Sequence, residues 1–101
     1  MARKIYKGTG LKFRLNIEAD GLSMDDFDFS IKIYTHPEKY IVIGKEDMHV
    51  DEDENLFFTL DSNSLDPGQI IMETTAMIPD SDFEGGYRKE IDRKILCNML
   101  P

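Results

Sequence analysis

Leu11, Phe13, Leu15 and Ile17 occupy every second position of one segment, and Phe27, Phe29, Ile31 and Ile33 do the same in another. Side chains on a strand alternate between two faces, whereas a surface helix repeats its apolar residues three and four apart. Each segment therefore reads as a strand with one dry face and one wet face. Two such strands among turn-rich connections hide their dry faces by stacking sheet on sheet or by closing a small barrel.

The rest of the chain supplies the other strands. After a basic lead over residues 1–10, the first strand spans Leu11–Glu18 and Ala19-Asp20-Gly21 turns the chain. The second spans Phe27–Thr35, and Pro37 interrupts it because proline removes a ladder donor and restricts the residue before it. Tyr40–Gly44 follows, with Met48–Val50 as a continuation of it after a bulge or kink. Leu56–Leu60 points Leu56, Phe58 and Leu60 inward, and Asp61-Ser62-Asn63-Ser64 has the capping residues of a single helical or 3₁₀ turn. Asp66-Pro67-Gly68 turns the chain into a strand over Gln69–Met77, and a polar loop from Ile78 closes on Gly85-Gly86.

The last segment, Tyr87–Leu100, carries two periods. Tyr87, Ile91, Ile95 and Met99 sit four apart, as on a helix; Tyr87, Lys89, Ile91, Arg93 and Ile95 alternate as a strand whose inner face is partly charged. The strand is the preferred reading, because an antiparallel sheet needs the return. The expectation is an all-β fold: one antiparallel β-sandwich of six to eight short strands over residues 11–100.

A chain of 101 residues forms one domain and buries roughly two-thirds of its unfolded surface. Cys97 is alone and has no internal disulfide partner. With no signal-peptide pattern near the N-terminus, it points to a cytoplasmic protein, or to a particle assembled in the cytoplasm and released later. The formal net charge is −8, unevenly placed. Residues 1–17 carry five basic residues and no acid, while Glu46 to Glu84 holds twelve acids and no Lys or Arg. So acidic a surface repels phosphate backbones and anionic lipid, so neither nucleic acid nor membrane is an expected partner. The basic arm has its own acidic region, or a neighbouring subunit's, to meet.

Motifs that would carry chemistry are thin. Asp51-x-Asp53-x-Asn55 opens like a calcium loop, but Leu56 stands where an EF-hand needs glycine and Ser62 where it needs a bidentate Glu. Asp80, Asp82 and Glu84 alternate beside two glycines without an enclosed pocket to separate their acidities. His36 and His49 lack a third ligand at metal spacing. No enzyme and no cofactor is expected. The remaining clue is aromatic: Tyr6, Tyr34, Tyr40 and Tyr87 have amphipathic rings suited to interfaces, and Tyr34 and Tyr40 flank the His36-Pro37 turn, although tyrosines at a core edge are the commoner explanation. The expected interaction surface joins Tyr34 and Tyr40 to the acidic set Asp80, Asp82 and Glu84. The alternative is a ligand site for sugar or calcium on the Asp51–Asn55 and Asp80–Glu84 loops.

The order of features resembles small immunoglobulin-like β-sandwiches of phage and prophage, in particular the N-terminal domain of phage baseplate upper proteins. The likeness rests on Gly10-Leu11-Lys12-Phe13-Arg14-Leu15-Asn16-Ile17, on Asp26-Phe27-Asp28-Phe29-Ser30-Ile31-Lys32-Ile33-Tyr34 and on Leu56-Phe57-Phe58-Thr59-Leu60 with Asp61. Leu65-Asp66-Pro67-Gly68-Gln69-Ile70 and the loop from Ile78 through Gly85-Gly86-Tyr87-Arg88 into Glu90-Ile91 extend it. It implies a structural role, joining protein to protein as a homo-oligomer or in a virion, and brings no catalytic residues.

Overall fold

The computed structural model describes residues 3–17, 21–53 and 55–101. These form eight strands: β1 (Arg3–Tyr6), β2 (Gly10–Leu15), β3 (Asp28–His36), β4 (Lys39–Gly44), β5 (His49–Val50), β6 (Leu56–Asp61), β7 (Gly68–Pro79) and β8 (Tyr87–Leu100). The larger sheet has the order β1-β8-β7-β3-β4 and the smaller β2-β6-β5. Apart from β1, which lies parallel to β8, all pairings are antiparallel. The two sheets face one another across a shared core as a small β-sandwich.

The alternation that marks β2 and β3 packs the core. Leu11 and Leu15 of β2, with Phe58 and Leu60 of β6, are buried against Phe29, Ile31 and Ile33 of β3 and Ile70, Met72 and Ile78 of β7. The Phe13 and Phe58 rings, opposite one another across β2 and β6, lie 5.4 Å apart. At roughly 1.5–3 kcal/mol for each fully buried aliphatic or aromatic side chain, this interior carries the fold. The expected turn after Asp61 is a 3₁₀ turn over Ser62–Ser64, and the Asp61 carboxylate accepts the Asn63 N–H at 2.9 Å. The fully buried Ser62 hydroxyl accepts the Gly8 N–H at 2.9 Å, tying the β1–β2 turn to that cap.

Four features depart from the sequence reading. Residues 3–6 of the basic lead are a strand, with Ile5 buried beside Met99 and Arg3, Lys4 and Tyr6 outside. His49–Val50 continues β4 in sequence but not in space: a 3₁₀ turn over Lys45–Asp47 carries the chain to the smaller sheet. β7 runs on to Pro79, so the loop begins at Asp80. The turn expected over residues 19–21, and residue 18 at the end of the first strand, lie outside the described residues, Gly21 excepted.

The fourth departure concerns the face of β8. The segment is a strand over all of Tyr87–Leu100, but Tyr87, Ile91 and Ile95 point away from the core. Ile70 faces Cys97 and Ile71 faces Ile95, so one extra residue is accommodated at Leu96. Such a bulge shifts the side-chain phase by one. Cys97 and Met99 therefore point inward beyond it, whereas Arg88, Glu90, Asp92 and Lys94 take the inward positions before it. Those charges are tolerated because the three-stranded sheet does not reach over them, and all but Arg88 are exposed. The projecting β7–β8 hairpin also accounts for the 47 Å long dimension, the reach of fourteen residues at about 3.4 Å each.

Candidate functional site

The outer face of the larger sheet is built row by row from strand register. One row runs Tyr40, Tyr34, Ile71, Ile95 across β4, β3, β7 and β8. The next runs Val42, Lys32, Glu73, Arg93, and the third Gly44, Ser30, Thr75, Ile91. Beyond them Met77 and Tyr87 continue the face toward the hairpin tip. Antiparallel sheets with one free face ordinarily show it polar. Here ten large apolar side chains are exposed among the described residues, and all but Val50 and Phe83 lie on this one face. Tyr40, Val42, Ile91 and Ile95 are each about half exposed. Exposed apolar side chains gathered on one face, here divided by a charged row, exceed the singly scattered ones of an ordinary surface.

The charged row inside the patch is tightly organised. Glu73 accepts the Arg93 Nε–H at 2.8 Å and the Tyr34 hydroxyl at 3.5 Å. The Arg93 hydrogen bond holds the Glu73 carboxyl below the usual carboxylate range and raises the guanidinium pKa in turn. Lys32 Nζ sits 4.3 Å from the centre of the Tyr40 ring. The face therefore presents fixed alternating charge between one apolar row and a row of small residues that ends in Ile91.

The residues singled out by sequence fall in two places. Tyr34 and Tyr40 pair directly across β3 and β4, but only Tyr40 is exposed; Tyr34 is 7% exposed, so it underlies the surface rather than presenting itself. Asp80, Asp82 and Glu84 stand at the hairpin tip, past the end of β7 and off the sheet face. Asp80 builds that tip: its carboxylate accepts the Asp82 N–H at 3.0 Å and pairs with Arg88, and its own N–H donates to the Gly86 carbonyl at 2.9 Å. Asp82 and Glu84 are exposed. The apolar positions of β8 were visible in the sequence, but the bulge that turns them outward has no composition signal.

The Asp51–Asn55 loop is likewise held from within. One Asp51 oxygen accepts the N–H groups of Asp53 and Asn55, both at 2.9 Å, and the other accepts the Arg14 Nε–H at 3.1 Å. Backbone donation from Asn55 is the main reason that the Asp51 carboxyl titrates below its ordinary range. Arg14 is thus one point at which the basic N-terminal region meets the acidic stretch. Among the described residues no three His, Cys, Asp or Glu side chains converge as metal ligands would. The His49 ring lies tilted against that of Phe57, 5.4 Å between centres, in the smaller sheet, while His36 ends β3 in the larger. The Cys97 thiol is buried, which pushes its pKa up.

Two open clefts share the wall formed by residues 15–17. One, of about 440 Å³, is bounded further by Met72, Thr74, Glu90 and Lys94; the other, of about 750 Å³, by Leu22, Met24 and Leu56. Neither brings a histidine or cysteine to its wall. No helix among the described residues is long and apolar enough to cross a membrane. In comparison with known proteins, the chain matches no family model, no curated protein and no solved structure.

Proposed function

We propose that this protein is a non-enzymatic interaction domain, a tail- or baseplate-associated component of a phage or prophage particle, and that it works through the outer face of its larger sheet. The supporting observation is the gathering of nearly all the exposed large apolar side chains on that face, around the ordered Lys32-Glu73-Arg93 row. Protein contacts draw on aromatic and aliphatic anchors, with charge that fixes register. The phage assignment rests on the resemblance carried by the strand and turn segments named above. It is tested by the genes beside this one, where tail or capsid genes support it and an unrelated operon overturns it.

The contact surface is tested by photocrosslinking in the host that carries the gene. A benzophenone amino acid at position 42 or 91 should form a covalent adduct with a second polypeptide. The same probe at Thr59, exposed on the smaller sheet, should not. Absence of any adduct at 42 and 91, or equal adducts at 59, would overturn the surface assignment.

A further inference from the structure

We propose that the partner on this face is a second copy of the chain, packed face to face about a two-fold axis that runs parallel to the strands between β3 and β7. The inference rests on the contact reading above and adds the identity of the occupant.

Charge selects both the occupant and the axis. Two identical faces can meet only about an axis lying in the plane between them. An axis along β3 would set Lys32 against Lys32 of the other copy, and an axis along β7 would set Glu73 against Glu73; like charges so placed are destabilising. An axis midway between them sets β3 over β7 and β4 over β8 of the other copy. Lys32 then meets Glu73 twice, once on each side of the axis. The same operation lays Tyr34 on Ile71 and Tyr40 on Ile95, and it sets Ile91 over Gly44, whose outer side is covered by the Glu46 carboxylate. An axis between β7 and β8 also pairs Glu73 with Arg93, but it leaves Tyr40 and Val42 outside the contact.

Self-pairing along β2 or along the open part of β8 offers a second copy no comparable match. β2 paired antiparallel with itself about Phe13 would oppose Lys12 and Arg14. The free edge of β8, where β1 reaches only Cys97–Leu100, would oppose Lys89 to Arg93 and Glu90 to Asp92 about Ile91. The face is also large enough. Four strands at about 4.8 Å and nine residues at about 3.4 Å give about 600 Å² in projection, with still more accessible surface. A standard interface needs roughly 800 Å² of accessible surface from each partner.

The test is sedimentation equilibrium on the full chain with Lys32→Glu and Glu73→Lys, alone and mixed. The wild type should dimerise, and each variant alone should weaken dimerisation by about a hundredfold or more, because its faces then oppose like charges. An equimolar mixture of the two variants should restore the dimer. The carboxylate introduced at position 32 of one chain then meets the ammonium introduced at position 73 of the other, and the unchanged Lys32 and Glu73 meet as before. Val42→Lys, at a position 55% exposed and opposite Arg93 of the other copy, should weaken the dimer too; this reads out the face even if Glu73→Lys unfolds. A wild type that stays monomeric to about millimolar concentration, where even weak association registers, would overturn the inference. So would a dimer indifferent to all three substitutions. Either result leaves the contact reading to be decided separately by whether crosslinking at 42 and 91 yields an adduct of another mass.

Discussion

Lys45 fastens the chain at the point where it leaves the larger sheet, and its removal has a calculable cost. It begins the 3₁₀ turn between β4 and β5, and its ammonium reaches back across the chain. Nζ donates to the Met24 carbonyl at 2.8 Å and the Phe27 carbonyl at 2.9 Å, and lies 5.7 Å from the centre of the Phe29 ring. It thereby holds the 3₁₀ turn at Met24–Asp26, which leads into β3, against the end of β4. Lys45→Met keeps the length and apolar stem but removes all three donors. A hydrogen bond to a charged group contributes about 1.5–3 kcal/mol when buried, and both bonds are only partly buried, so water recovers a share. The expected loss is about 2 kcal/mol for the pair, equivalent to a fall in the urea midpoint of about 1–2 M with an unchanged slope. Lys39→Met is the matched control. Its Nζ meets Asp66 at 3.3 Å on an exposed surface, and such pairs contribute well under about 1 kcal/mol. Urea unfolding of both variants, followed by circular dichroism, gives the comparison. Equal losses at 45 and 39 would refute the view that Lys45 holds two chain segments together.

Two further outcomes follow from the turns and the carboxylates. Gly85 and Gly86 have φ of 84° and 81°, with open space where a Cβ would stand, so Gly86→Ala should cost about 1–2 kcal/mol from backbone conformation alone. A thermal midpoint equal to that of wild type would refute this. Glu73 and Asp51 titrate below their ordinary values of 4.5 and 3.8, so each favours the fold in its ionised form. That contribution is complete above the unfolded-state values and is lost as pH falls through the lowered ones. Glu73→Gln and Asp51→Asn should therefore flatten the loss of stability below about pH 4.5, most visibly at low salt. An acid limb as steep as that of wild type in both variants would count against these pairings.

Much of the fold is legible where a residue's neighbours in sequence decide its conformation. Alternation places Leu11–Leu15 and Phe29–Ile33 on strands and tells which side is dry, and Asp61 announces its cap. Residues 66–68 mark a turn whose Gly68 takes a φ of 139°. The candidate site was legible only in fragments. Tyr40 was identified, but of its neighbours on that face Ile91 and Ile95 read as the inner side of their strand and Val42 carried no signal, and the acidic set at the hairpin tip proved to be separate from them. The strand at Arg3–Tyr6 was hidden because its one inward side chain, Ile5, makes no pattern by itself and its parallel partner lies more than ninety residues away.

The sequence by itself determined the period of the strands, and hence an all-β sandwich, because side-chain alternation is a local property of extended backbone. Only the tertiary structure decided which face of β8 is dry. A one-residue bulge at Leu96 and the short reach of the three-stranded sheet act through strands far apart in the chain. Together they turn Tyr87, Ile91 and Ile95 from core residues into surface. The same register gathers them with Tyr40 and Val42, from a hairpin half a chain away, into the face on which the proposed function rests.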